Sequence, residues 1–148
     1  MRRVRWGLVM LALALAAAQP ATAAPSETEA ALDAINDARA GAGLRPLALS
    51  PALTRSSAAF AGHIMRTGVF AHADTIQAAG GFSRLGECIA MHNGGAARPG
   101  WTVRRWLASP GHRPLLLSRG FRRAGAAAVE GNFNGRRSTV WVLQLGGR

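Results

Sequence analysis

Ala124-Gly125-Ala126-Ala127-Ala128-Val129 and Thr139-Val140-Trp141-Val142-Leu143-Gln144-Leu145 are the two stretches that decide the fold class. Each is a short apolar run of strand length, and the second is rich in β-branched and aromatic residues. The link between them carries Gly131-Asn132-Phe133-Asn134-Gly135, a turn-rich sequence that predicts an antiparallel hairpin. Upstream the periodicity is helical. Ser26-Glu27-Thr28-Glu29 fits a capping box, Leu32, Ile35 and Ala38 or Arg39 follow at helical spacing, and Gly41 and Gly43 close the helix. Leu44 to Leu49 is a short extended connector containing Pro46. Ser50-Pro51 opens a second helix, with Leu53, Ser57, Phe60 and Ile64 on one face and Gly68 at its end. Residues 73–86 read as loop, with a turn of helix around Ile76–Ala79. Thr102 to Ala108 reads as a third helix, with Val103, Trp106 and Leu107 inward and Arg104-Arg105 outward. Helices first and strands afterwards predict an α+β fold, with helices packed on an antiparallel sheet.

The first residues stand apart from this pattern. Met1-Arg2-Arg3-Val4-Arg5 is a basic start, Trp6 to Ala18 is an apolar run of 13 residues, and Ala21-Thr22-Ala23 places small residues before a cleavage point. That order of parts is a secretory signal peptide over 1–23, leaving 24–148 as one exported domain. The apolar run is short for a spanning helix, which needs about 20 residues. No other stretch is long enough, so no transmembrane segment is expected in the mature chain.

Export changes the meaning of the charge. The chain has 148 residues and carries +11, all of its cationic side chains being Arg. Arg2, Arg3 and Arg5 leave with the signal, which lowers the charge to about +8. The remaining arginines are scattered in short pairs without interleaved aromatics, so a nucleic-acid partner is not expected. A solvated basic surface is the plain reading, and an anionic envelope polymer or lipid is the functional one. One Cys excludes a disulfide framework and a thiolate zinc cage.

Chemistry can sit at a few residues. Of the four His, His63 falls near the edge of an apolar helical stripe and reads as a partly buried packing residue. His92 stands in a Gly-rich stretch and reads as solvated. His72 lies just past a helix end. His112 follows Ser109-Pro110-Gly111, where a helical turn would keep the imidazole neutral and able to bind a metal or accept a proton. Glu87 lies within Gly86-Glu87-Cys88-Ile89-Ala90, and a carboxylate in an apolar run requires a partner such as His72, His112 or an Arg. Two His and one Glu match a zinc set with an open position, although His72 and His112 are 40 residues apart and their spacing carries no metal signal. Cys88 reads as a small apolar core residue in preference to a nucleophile served by His112.

Four motifs in order then bring a family into view. Leu32 to Arg39 carries an Asn and an Arg in an opening helix, and Phe70-Ala71-His72 ends the next one. Gly86-Glu87-Cys88-Ile89-Ala90 is similar to Gly-Glu-Asn-Ile-Ala, and Trp106 to Arg113 is similar to Trp-x-x-Ser-Pro-Gly-His-Arg. Together they cover about residues 29–147 and resemble the bacterial, SCP-like extracellular branch of the CAP superfamily, named for cysteine-rich secretory proteins, antigen 5 and pathogenesis-related 1 proteins. The resemblance implies an α-β-α sandwich with a central antiparallel sheet, and a cleft containing His72, Glu87 and His112. It implies His72 and His112 as ligands of zinc or another divalent cation, with Glu87 orienting water or ligating directly. The chain departs from the pattern at Cys88 and Leu115, where Asn is usual, and at Ser109, where animal and plant members often carry Glu. Pro114 is expected to push Arg113 toward extended geometry. A thinner polar network behind the cleft is therefore expected.

These readings converge on a monomeric binding or interaction module, secreted or periplasmic, with the His/Glu cleft as its site. The rival classes are a metal-dependent envelope hydrolase with Glu87 as general base and a lipid-binding carrier.

Overall fold

The hairpin forms and is longer than its sequence signal. A computed structural model describes residues 26–78 and 80–148, and the stretch 1–23 read above as an export signal lies outside them. Strands β3 (Arg123–Phe133) and β4 (Arg136–Gly147) pair from Arg123 opposite Gly146 to Phe133 opposite Arg136. The chain reverses in two residues, Asn134 at φ 50° and Gly135 at φ 86°. Positive φ at both positions gives the tight turn whose twist matches a hairpin. Gly131 to Phe133 therefore belong to β3, since a two-residue turn leaves them free to pair.

Strand β2 (Arg84–Asn93) pairs antiparallel with β4 over its whole length, and β1 (Ala48–Leu49) lies parallel to β3 at the other edge. The order is β1-β3-β4-β2, antiparallel apart from the two residues of β1. The connector thus ends as a strand, held by Asn36, whose amide exchanges hydrogen bonds with the backbone of Leu47 at 2.8 and 3.1 Å. No helical turn forms over Ile76–Ala78, and Gly80 and Gly81 follow at φ 136° and 63°, which breaks any continuation. Ala79 lies outside the described residues.

Helices cover both faces. α1 (Glu27–Gly41), α3 (Pro99–Ala108) and the short α4 (Arg113–Leu116) lie on one side, and α2 (Pro51–Thr67) lies on the other. The capping box read at Ser26 and the N-cap read at Ser50 are both present: Ser26 and Glu29 bond reciprocally, and Ser50 Oγ accepts from Leu53 N. Strand alternation sorts the core. Trp141, Leu143 and Leu145 face Ile35, Val103, Trp106 and Leu116, while Val140 and Val142 face Ala61 and Ile64. β4 is buried on both faces from Ser138 to Gly147, so it reads as apolar on both faces apart from Ser138, Thr139 and Gln144. Pro114 does not extend Arg113. It occupies the first turn of α4, where its missing N–H costs no helical bond.

The small residues of β3 set the approach of α2. Gly125 has no room for a side chain, because a Cβ there meets the backbone of Leu53 and Thr54. Its carbonyl accepts from Ser57 Oγ at 2.9 Å. On the other face, Arg39 is wholly buried on α1. Its Nε donates to the Arg45 carbonyl at 2.9 Å, and its Nη1 to the carbonyls of Leu116 at 2.6 Å and Ser118 at 3.0 Å. Burial, and secondarily Arg122, lower its pKa from the ordinary arginine value. Among the described residues no helix is long and apolar enough to cross a membrane.

Two substitutions test these contacts in urea denaturation. Gly125→Ala should cost about 1–3 kcal/mol, because helix backbone has to move. Arg39→Met should cost about 3 kcal/mol, because it keeps the stem but strands buried carbonyls. An unchanged midpoint in either variant removes the corresponding constraint.

Candidate functional site

His72, Glu87 and His112 come together from three parts of the chain. Glu87 stands on β2 opposite Gln144 on β4, two residues from Ile89 and Val142 respectively, so both side chains take the α2 face of the sheet. α2 stops at Gly68, whose left-handed backbone at φ 68° turns the chain out of the helix. Asn134 in the hairpin turn donates to the Gly68 carbonyl at 2.9 Å and fixes that exit. Five residues downstream of α2, His72 reaches Glu87. His112 is the N-terminal flanking residue of α4.

The carboxylate is the centre of the arrangement. Glu87 Oε1 accepts from Ala73 N at 3.0 Å and pairs with His72 Nδ1 at 3.0 Å, while Oε2 accepts from Gln144 Nε2 at 3.1 Å. Its side chain is 5% exposed, against 55% for His72. An ionised carboxylate only accepts, so His72 Nδ1 carries the proton of that bond and Nε2 is the outward nitrogen. The same reasoning orients the Gln144 amide. Its NH₂ must face Glu87, which leaves the buried Oε1 without a partner beside a cavity of about 210 Å³. α2 residues Ser56 and Phe60, together with Thr75 and Gln77, line that cavity.

His112 faces His72 with ring centroids 6.2 Å apart and planes tilted by 50°. Its Nδ1 bonds Ser109 Oγ at 3.0 Å. Burial, then the nearby His72, lower its pKa from the ordinary 6.5, so it is neutral near pH 7. The neutral state expected from a helical turn is thus present, but burial heads its causes. Each imidazole has one nitrogen oriented by an oxygen, the arrangement that metal-ligating histidines use. Ser109 and Gln144 supply the supporting network that the departures at Cys88 and Leu115 had put in doubt. Gln144 drew no attention in sequence, since only strand register places it behind Glu87.

The donor set suits a divalent cation held by two nitrogens and completed by water or ligand. It does not suit a closed structural site, since no group of three or more His, Cys, Asp or Glu is placed to hold an ion among the described residues. Both Glu87 oxygens are already engaged.

Of the remaining candidates, Cys88 and His92 lie elsewhere, while His63 borders the cavity beside Gln144. Cys88 points to the opposite face, fully buried, with its pKa pushed up to about 12 by burial and then by Glu87. It is a core thiol and not a nucleophile. His63 is exposed, not partly buried, and stacks on Phe60 at 6.0 Å. His92 is half-buried on β2, not in a solvated loop, and meets Trp101 edge-on at 5.5 Å.

Known proteins share this framework. An outer surface protein from Borrelia burgdorferi superposes with a TM-score of 0.65 at 17% identity, over 79% of this chain and 89% of that one. An extracellular protein from Bacillus anthracis containing an SCP domain superposes at 0.64 and 20% identity, over 82% of this chain but 40% of the longer protein. Venom allergen-like protein 4 from Schistosoma mansoni reaches 0.65 at 10% identity, over 84% and 91%. At such identities the likeness speaks for the fold. A comparison with curated protein sequences finds no match. The profile of the cysteine-rich secretory protein family, CAP, matches residues 32–145, and the chain belongs to that family.

Proposed function

We propose that this chain is an exported binding module whose cleft takes a divalent cation, zinc or a similar ion, through His72 and His112. The observation that carries the reading is the pair of imidazoles with anchored inner nitrogens, His72 on Glu87 and His112 on Ser109. Anchoring settles ring orientation before a ligand arrives, so little order has to be created on binding. Glu87 serves as an orienting carboxylate. Three groups already donate to it, which weakens its candidacy as a general base that must take a proton from water. The extracellular and outer-surface relatives support a secreted location.

Titration calorimetry with zinc near neutral pH tests the cleft. His72→Ala and His112→Ala should each weaken binding about tenfold or more, and Glu87→Gln by about 10- to 100-fold through lost orientation. Unchanged affinity in both histidine variants would sink the reading.

A second test uses pH. The folded pKa of His112 lies below its ordinary 6.5. Between the two values the unfolded chain binds more protons. The stability linked to neutral His112 is therefore complete above about pH 6.5 and is lost as pH falls through the folded value. His112→Gln should show a flatter fall in urea midpoint between about pH 7 and about pH 4.5 than the parent. Parallel curves would refute this assignment.

A further inference from the structure

A second cavity, of about 660 Å³, opens where β3 begins and β4 ends. Arg122, Arg123 and Arg148 line it, with Phe82 and the start of α2 at Ser50 and Ala52, and no carboxylate side chain is among the lining residues. None of His72, Glu87 and His112 reaches it. Three observations bear on what it takes.

First, its cations are not neutralised within the protein. Among the described residues the ion pairs are His72 with Glu87 and Arg137 with Glu130, and neither involves the cavity. Of the other acids, Glu27, Glu29, Asp33 and Asp37 stand on α1, Asp74 lies in the loop after His72 and Glu87 is buried, and none of them lines the cavity. Second, the guanidinium of Arg122 is held in place. Its Nη1 donates to the Arg119 carbonyl at 2.8 Å, so its other nitrogens are presented with less freedom to lose. Third, α2 brings the positive end of a 17-residue helix to the rim, with no acidic residue in its first turn; Pro51 has no N–H and Leu53 N is held by Ser50 Oγ, so the helix offers its dipole and Ala52 N. Phe82 adds an apolar wall. Guanidinium forks and a helix start together match the oxygens of a phosphate better than a single carboxylate.

We propose that this cavity is a phosphate-binding site, in which Arg122 and Arg123 receive the phosphate oxygens against the start of α2 and Phe82 borders the rest of the ligand. It is independent of the histidine cleft.

Calorimetry with inorganic pyrophosphate is the direct test, run beside flotation with phosphatidylglycerol vesicles. The variant R122A/R123A should bind pyrophosphate at least about tenfold more weakly, as loss of charge-assisted bonds predicts. R104A/R105A removes the same charge from the exposed face of α3 and should stay within about twofold of the parent. Equal losses in both double variants mean general electrostatic attraction and overturn the proposal, as does pyrophosphate binding unaffected by R122A/R123A. If the double variant does not fold, R123Q keeps the Arg122 bond to Arg119 and should still weaken binding, and an unchanged affinity again overturns the site. Vesicle binding lost with R122A/R123A identifies a lipid headgroup as the source of the phosphate. Pyrophosphate binding without vesicle binding identifies a free phosphate, and either result supports the site. His72→Ala should leave pyrophosphate affinity unchanged whatever it does to zinc, and a parallel loss would refute the independence of the two sites.

Discussion

The guanidinium of Arg39 is the contact on which the arrangement of this protein most depends. It is buried on α1 with no acidic partner among the described residues, yet it holds the carbonyls of Arg45, Leu116 and Ser118. Those carbonyls belong to the connector before β1 and to the end of α4. A buried charge without a counterion is costly, and backbone dipoles aimed at it offset part of that cost. The result is geometric. α4 is too short to hold itself, and a charge-assisted bond at its C-terminal end fixes the segment whose N-terminal flank is His112. The distance between the two imidazoles is thus set in part by a residue that touches neither.

The same economy governs the centre of the cleft. Glu87 is buried because β2 pairs with β4, and it is tolerated because the residue opposite is Gln144 rather than another hydrophobe. A one-residue slip of β2 would turn Glu87 into the core among Trp141 and Leu143 and bring Cys88 to the α2 face. The charge and the register therefore enforce one another.

Much of this was legible in the chain itself. The caps at Ser26 and Ser50, the stop at Gly68 and the inward pair Val103 and Trp106 are local signals, and local signals survive folding. The gathering of His72, Glu87 and His112 came from motif resemblance, since no spacing along the chain announces residues that distant elements bring together. What was not legible has the same physical origin. β1 exists only because β3 offers it an edge. The outer half of β2, including His92, alternates in burial against a partner strand that sequence does not name. Pro114 has two local meanings, and the choice between them is made by whether a helix begins there. Gln144 was read as strand alone because its role depends on which residue lies across the ladder.

Cys88 carries a consequence for the redox chemistry of the protein. Its thiol is sealed in the core with its pKa near 12, so the folded molecule presents no thiolate to oxidants or to other thiols. The chain carries one cysteine, and with it buried two folded copies have no route to a covalent dimer. Cross-linking becomes accessible only when the sheet opens. The thiol is in effect a built-in recorder of unfolding: under slow alkylation, each labelled molecule is one that has lost its core at least once.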